Sequence, residues 1–130
     1  GTDNVEAYNA YLRALDVGRH LSTRTIQEAI GWIERALELD PDFGRAFAGL
    51  GVVYGNIHQE DKAEESYQQA LQRLDRMSER ERYRTLGGYY LLVSGNYEKA
   101  IDLAPKYYDA QFNLGRLLGL LAVLLGVRLG

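Results

Sequence analysis

The chain has 130 residues and a mass of 14.7 kDa, enough for one continuous core and too little for two independent ones. Its 46% hydrophobic and 25% charged residues, with two prolines, exclude disordered and collagen-like classes and favour a globular, helical chain. A net charge of -3 and a pI of about 5.4 leave no basic field for nucleic acid, although arginines cluster between Arg73 and Arg84. The absence of cysteine rules out a disulfide framework, a thiolate nucleophile and a cysteine-based zinc site.

Residues 1–6 are polar, without the basic and apolar regions of a signal peptide, and none is expected there. The first predicted helix carries Tyr8, Tyr11, Leu12 and Leu15 on one stripe, followed by a long loop around Arg19 to Arg24. Thr25 and Glu28 have the Ser/Thr-x-x-Glu form of a capping box, which predicts a helix start at Thr25. That helix ends at Asp40-Pro41, because proline cannot extend it without losing a hydrogen bond. Phe47, Leu50, Gly51 and Tyr54 fall at i, i+3, i+4 and i+7 of a third helix, and Ala63, Tyr67 and Ala70 form a facing stripe on a fourth. Small residues at Gly51 and Ala63 let these two helices approach. Ser78 and Glu81 form a second predicted capping box, opening a helix through "LGGYYLL". A short helix of about two turns is expected from Asn96 to Ala104, closed by Pro105. The tail, "RLLGLLAVLLGVRLG", carries only Arg116 and Arg128 as charges. Its apolar run from Leu117 to Val127 is too short for a membrane span and reads as a buried helix.

The second and fourth helices recur at a fixed interval: Ala29, Ile33, Ala36 and Leu37 match Ala63, Tyr67, Ala70 and Leu71, each 34 residues later. A generic helical hairpin explains the stripes but not this period. With Phe47, Leu50, Gly51, Tyr54, Ala63, Tyr67 and Ala70 at its signature positions, the sequence resembles the tetratricopeptide repeat family. Segments such as "AYNAYLRAL" are similar to repeat domains attached to bacterial signalling proteins. The resemblance implies an all-α, right-handed solenoid of antiparallel helix pairs in a single domain (1–130). Repeat one covers about 4–41, repeat two 42–75, a shortened repeat three 76–105, and a partial repeat or capping helix 106–130. Ala63 to Ala100 is 37 residues rather than 34, and the three extra residues are expected near Met77 to Glu81. About seven residues of the family pattern are missing at Ala100. Pro105 to Leu114 then repeats the nine-residue interval from Pro41 to Leu50, so a fourth repeat begins.

In this family the first helices line a concave groove that binds peptides or partner helices without chemistry. Carried over by position, the groove residues are Asn9, Arg13, Arg45, Val52, Arg82, Thr85, Tyr89, Phe112 and Arg116, with Glu6, Asp16, Ala48, Gly55, Leu92, Asp109 and Gly119 at the remaining positions. Arg13, Arg45 and Arg82 would form a basic strip suited to a carboxylate ligand, against the plain alternative of solvated surface arginines. The chaperone-tail binders of the family use an asparagine where this chain has Gly49, so that reading is rejected. No enzyme, cofactor or metal is expected: His20 and His58 fall in turns, and no glycine-rich phosphate loop is present. The expected partner is a protein or peptide, in the cytoplasm, with the cysteine-free chain equally suited to the periplasm. The alternative is a self-assembly unit in which Leu118, Leu121 and Leu125 drive a homo-oligomer.

Overall fold

The computed structural model describes residues 3–18 and 22–107. Among these, α1 (Val5–Val17), α2 (Thr23–Leu39), α3 (Gly44–Asn56), α4 (Glu60–Leu71), α5 (Glu79–Leu92) and α6 (Tyr97–Leu103) follow one another, with single 3-10 turns at Leu74–Arg76 and Ala104–Lys106. The helices pair as α1 with α2, α3 with α4 and α5 with α6, and α3 touches both α2 before it and α5 after it. The result is a stack of hairpins, each stabilised by its neighbours.

The first hairpin departs from the sequence expectation in two places. Of the stripe Tyr8, Tyr11, Leu12 and Leu15, only Tyr11 is buried; the inward face of α1 is Ala7, Ala10, Tyr11 and Ala14. Three alanines allow α1 to lie close to α2, and the larger side chains are left outside. Thr25 is not the cap of α2 but its third residue. Ser22 is the cap: its Oγ accepts from the Thr25 amide at 3.2 Å, and Thr25 Oγ1 accepts from the Ser22 amide at 2.9 Å. Glu28 pairs instead with Arg24, 3.1 Å away on the exposed face. The expected box at Ser78 is present, with Ser78 Oγ accepting from the Glu81 amide at 3.2 Å and Glu81 Oε1 accepting from the Ser78 amide at 3.1 Å.

The core joins the hairpins through aromatic rings placed against helices without side chains. Tyr67 of α4 is 1% exposed and lies between α3 and α5. A Cβ on Gly51 would fall 2.5 Å from its ring, and one on Gly88 would fall 2.5 Å from its hydroxyl. Glycine at 51 leaves room for the ring itself, and glycine at 88 for its hydroxyl. In the first interface, Tyr11 meets Phe43 edge-on at 5.4 Å between centroids, a geometry worth about 0.5–1.5 kcal/mol beyond area burial. The joint ahead of α3 is fixed by charge. Asp42 lies 3.5 Å from Arg73 Nε and 3.4 Å from Arg76 Nη1, while the Arg73 guanidinium sits 4.7 Å over the Phe47 ring.

The third hairpin is short, as the missing residues at Ala100 predict: α6 has seven residues where α4 has twelve. The 3-10 turn through Pro105 follows directly, and Tyr107 after it is buried. Arg80 Nε donates to the Tyr107 carbonyl at 3.1 Å, tying this end to the start of α5.

Candidate functional site

A groove enclosing about 330 Å³ runs along α1, α3 and α5, within the size range of ligand pockets. From α3 it receives Arg45, Ala48, Gly49, Val52 and Asn56; from α5, Glu81, Arg84, Thr85, Gly88, Leu91 and Leu92. Adding 36 to 45, 48, 49, 52 and 56 gives 81, 84, 85, 88 and 92, so the two helices present the same face at an offset of 36 residues. Tyr11, Tyr67 and Tyr107 complete the lining, each of them at least nine-tenths buried.

This offset corrects the placing of the inserted residues. The sequence places all three near Met77 to Glu81, but the 36-residue offset leaves only two ahead of the groove face of α5. The third is in the turn of the last hairpin: three residues (57–59) join α3 to α4, and four (93–96) join α5 to α6. The left-handed residue of the first turn is His58, at φ 60°, and of the second Gly95, at φ 69°. They are 37 apart, so the extra residue lies ahead of them. Positions counted back from Ala100 therefore land one residue late on α5.

The structure consequently brings together Arg45, Val52 and Thr85, along with Ala48 and Leu92, and leaves out others. Arg82 donates from Nη1 to the Met77 carbonyl at 3.1 Å and lies outside the groove lining; Glu81 stands at the position equivalent to Arg45, and Arg84 at that equivalent to Ala48. Tyr89 is also outside, edge-on to Tyr67 at 6.3 Å and to Tyr90 at 5.7 Å. Thr85 lines the groove, but its hydroxyl is committed to Met77 Sδ at 3.4 Å and the residue is buried. Arg13 is exposed and sits 5.1 Å over the Trp32 ring; neither it nor the exposed Asn9 lines the groove. Phe112, Arg116, Leu118, Leu121 and Leu125 lie outside the described residues, as do His20, Asp109 and Gly119.

The groove is not the uniform basic strip expected. Arg45 Nε lies 4.0 Å from Glu81 Oε2, both side chains being largely buried, and its guanidinium is 5.1 Å over the Tyr11 ring. Burial raises the Tyr11 phenol above its ordinary range, against the opposing pull of Arg45. Burial alone would also raise the Glu81 carboxyl; its hydrogen bonds, those from Ser78 among them, outweigh this and hold it below the usual carboxylate range. Arg84 is exposed and, among the described residues, is held in no ion pair. One cation is thus neutralised and one is available. A second recess of about 250 Å³ shares Tyr11, Gly49, Val52 and Asn56 with the groove and continues between α1, α2 and α3 over Leu15, Ile26, Ile33 and Val53. Glu81 and Arg84 escape a count back from Ala100, which sets an offset of 37 on α5 where the structure has 36.

Stacked hairpins whose first helices share one groove define an α-helical repeat protein. Residues 44–73 match the family model of the tetratricopeptide repeat: the chain carries a repeat of this family, made of α3, α4 and the residues that follow to Arg73. No curated protein matches the chain. A repeat of this kind points to protein–protein interaction. Among the described residues, no helix is long and apolar enough to cross a membrane, and no cluster of histidine and acidic side chains could hold a metal ion.

Proposed function

We propose that this chain is a non-enzymatic protein-interaction module that holds a peptide or partner helix in the groove between α1, α3 and α5. The observation that carries this reading is the composition of the groove. Arg84 stands exposed on one wall, and Val52, Leu91 and Leu92 supply apolar surface beside it. The recess beyond Gly49 extends that surface toward α2. Such a groove suits a segment with an acidic residue for Arg84 and an apolar side chain for the recess. A guanidinium pairs with a carboxylate through two parallel hydrogen bonds, which orients the ligand as well as binding it. Arg45 acts differently. Tied to Glu81 and Tyr11, it shapes the wall between the two parts.

The test is a peptide-display selection against the whole chain, with selected peptides re-measured on variants. Arg84→Glu should weaken binding by about tenfold or more, the cost of replacing a charge-assisted hydrogen bond with repulsion. Arg82→Glu, outside the groove lining, should change it little. Val52→Asp should abolish binding of peptides that carry an apolar anchor. Selected peptides that bind all three variants as they bind the parent would place the interaction elsewhere on the molecule.

A further inference from the structure

The interfaces on the two sides of α3 are filled differently. Between α3 and α5, Tyr67 lies against Gly51 and reaches Gly88. The residue 34 positions earlier is Ile33, which lines the recess of about 250 Å³ between α1, α2 and α3. An aliphatic side chain thus stands where the next interface has a ring. Ala14, Ala29 and Gly49 keep the surrounding helix surfaces low, and a Cβ on Gly49 would already fall 3.1 Å from the Tyr11 ring and 3.6 Å from Ile33 Cδ1. An apolar cavity of about 150 Å³ holds a benzene molecule, so this recess has room for a bicyclic ring. A leucine side chain would leave part of it empty and forgo those contacts. Of the lining residues, Tyr11 and Asn56 alone carry polar side-chain atoms. The Tyr11 ring is covered by Arg45. Asn56 is exposed at the end of α3, and its side-chain amide has no hydrogen-bond partner among the described residues.

We propose that the recess is an indole-binding site, which receives a tryptophan side chain of the partner; naming the ligand as part of a peptide rests on the peptide-binding reading above. The rings lie among the aliphatic side chains, and the indole N–H, a donor with no acceptor capacity, donates to Asn56 Oδ1. A tryptophan that is buried needs a partner for this N–H, and Asn56 supplies one. Phenylalanine offers the amide nothing, a phenol is one ring short of the space, and leucine neither fills it nor pairs. Tyr11, Gly49, Val52 and Asn56 line both the recess and the groove, so a residue anchored here continues across α3 toward Arg84. The segment that fits carries a tryptophan and an acidic residue, and it crosses α3 where Gly49 has no side chain.

Titration of the whole, methyl-labelled chain with free indole and with 1-methylindole, followed by NMR, tests this. Indole should shift the methyl resonances of Ile33 and Val53 and show nuclear Overhauser contacts to them, with a dissociation constant of about 0.1–1 mM, in keeping with a small rigid ligand. The parent should bind 1-methylindole, which cannot donate, about threefold to tenfold more weakly. Asn56→Ala should weaken indole by the same factor and leave 1-methylindole unchanged. Peptides selected by display should contain tryptophan, and replacing it with leucine should cost about tenfold or more. Peptides that depend on Arg84 but carry no tryptophan would leave the groove reading standing and overturn this one. Indole seated in the recess while every selected peptide ignores Arg84 would remove the groove reading and uphold this site. Methyl resonances unmoved at about 10 mM indole, contacts to other residues instead, or equal loss of both probes in Asn56→Ala each overturn the proposal.

Discussion

The hairpins α3–α4 and α5–α6 are built to the same plan, and their differences show what the plan needs. Both begin from the same joint: Met77 is buried against Gly44 at the start of α3 and accepts from Thr85 on α5. Both present the same face to the groove. Yet α4 has twelve residues and α6 seven, and the missing length is made up by other means. A seven-residue helix leaves most of its terminal amides and carbonyls without intrahelical partners. Here Asn96 caps the Lys99 amide at 3.2 Å, and the 3-10 turn brings Tyr107 under α5, where it fills the space beside Gly87. Tyr67 has the same task one hairpin earlier, from the middle of a complete helix. Hairpin length is therefore negotiable; a ring seated against a bare stretch of the first helix is the shared element.

The largest test of that comparison is Tyr67→Ala. Tyr67 touches α3 and α5 at once and is 1% exposed, so its removal should cost about 3–5 kcal/mol in urea denaturation. Tyr107→Ala, which among the described residues removes a ring seated against α5 and not against two first helices, should cost less; an equal loss would mean that the short hairpin contributes as much as the complete one does.

Next in size is the contrast between Gly51→Ala and Gly88→Ala. Each gains about 1 kcal/mol of helix propensity. At Gly51 the new methyl group meets two ring carbons at 2.5 and 2.6 Å, whereas at Gly88 it meets the hydroxyl at 2.5 Å and the ring at 3.3 Å and beyond. Overpacking against a fixed ring costs about 1–3 kcal/mol. Gly51→Ala should therefore lower the unfolding midpoint, and Gly88→Ala should fall closer to neutral.

The two turns make a smaller matched pair. His58 at φ 60° holds a conformation that an L side chain resists, and Gly95 at φ 69° holds it freely. His58→Gly should stabilise the chain by about 1 kcal/mol and Gly95→Ala should destabilise it by a similar amount, both read from thermal unfolding. Smallest is Ser78→Ala. Loss of the cap should cost about 0.5–1 kcal/mol and should speed hydrogen exchange in the first turn of α5 before it affects α3, whose start has no side-chain cap.

Much of this organisation was legible in the sequence because it rests on period and residue size. Ala63, Tyr67 and Ala70 repeat the pattern of Ala29, Ile33 and Ala36, and the pattern gave the hairpins, the close approach at Gly51 and the truncated α6. Where the sequence misled, a local choice was decided by contacts that periodicity does not record. On α1 the alanine stripe, not the larger Tyr8, Leu12 and Leu15, faces inward, because close approach outweighed side-chain volume. At α2 two hydroxyl residues competed for the cap, and Ser22 took it with Thr25 as its partner. On α5 a single extra turn residue ahead of Gly95 shifted the groove face by one position, from Arg82 to Glu81, from Thr85 to Arg84 and from Tyr89 to Gly88. The candidate site was thus readable on α3, where turn length and period agree, and displaced by one residue on α5. Arg45 and Glu81 occupy equivalent places on the two helices and pair with each other, which no composition of the groove taken as a strip could have disclosed.

The contact between Arg13 and Trp32 has an optical side. The chain has a single tryptophan, and it is part-buried in the first hairpin beneath a guanidinium. Excited at a wavelength that spares tyrosine, its emission follows α1 and α2 alone, while circular dichroism averages over every helix. In a linear array the neighbours hold one another up, so coincidence of the two signals in denaturant would show that the first hairpin melts with the unit organised around Tyr67. An earlier tryptophan transition would mark it as a separable unit, and the same emission would register any event that lifts Arg13 from the ring.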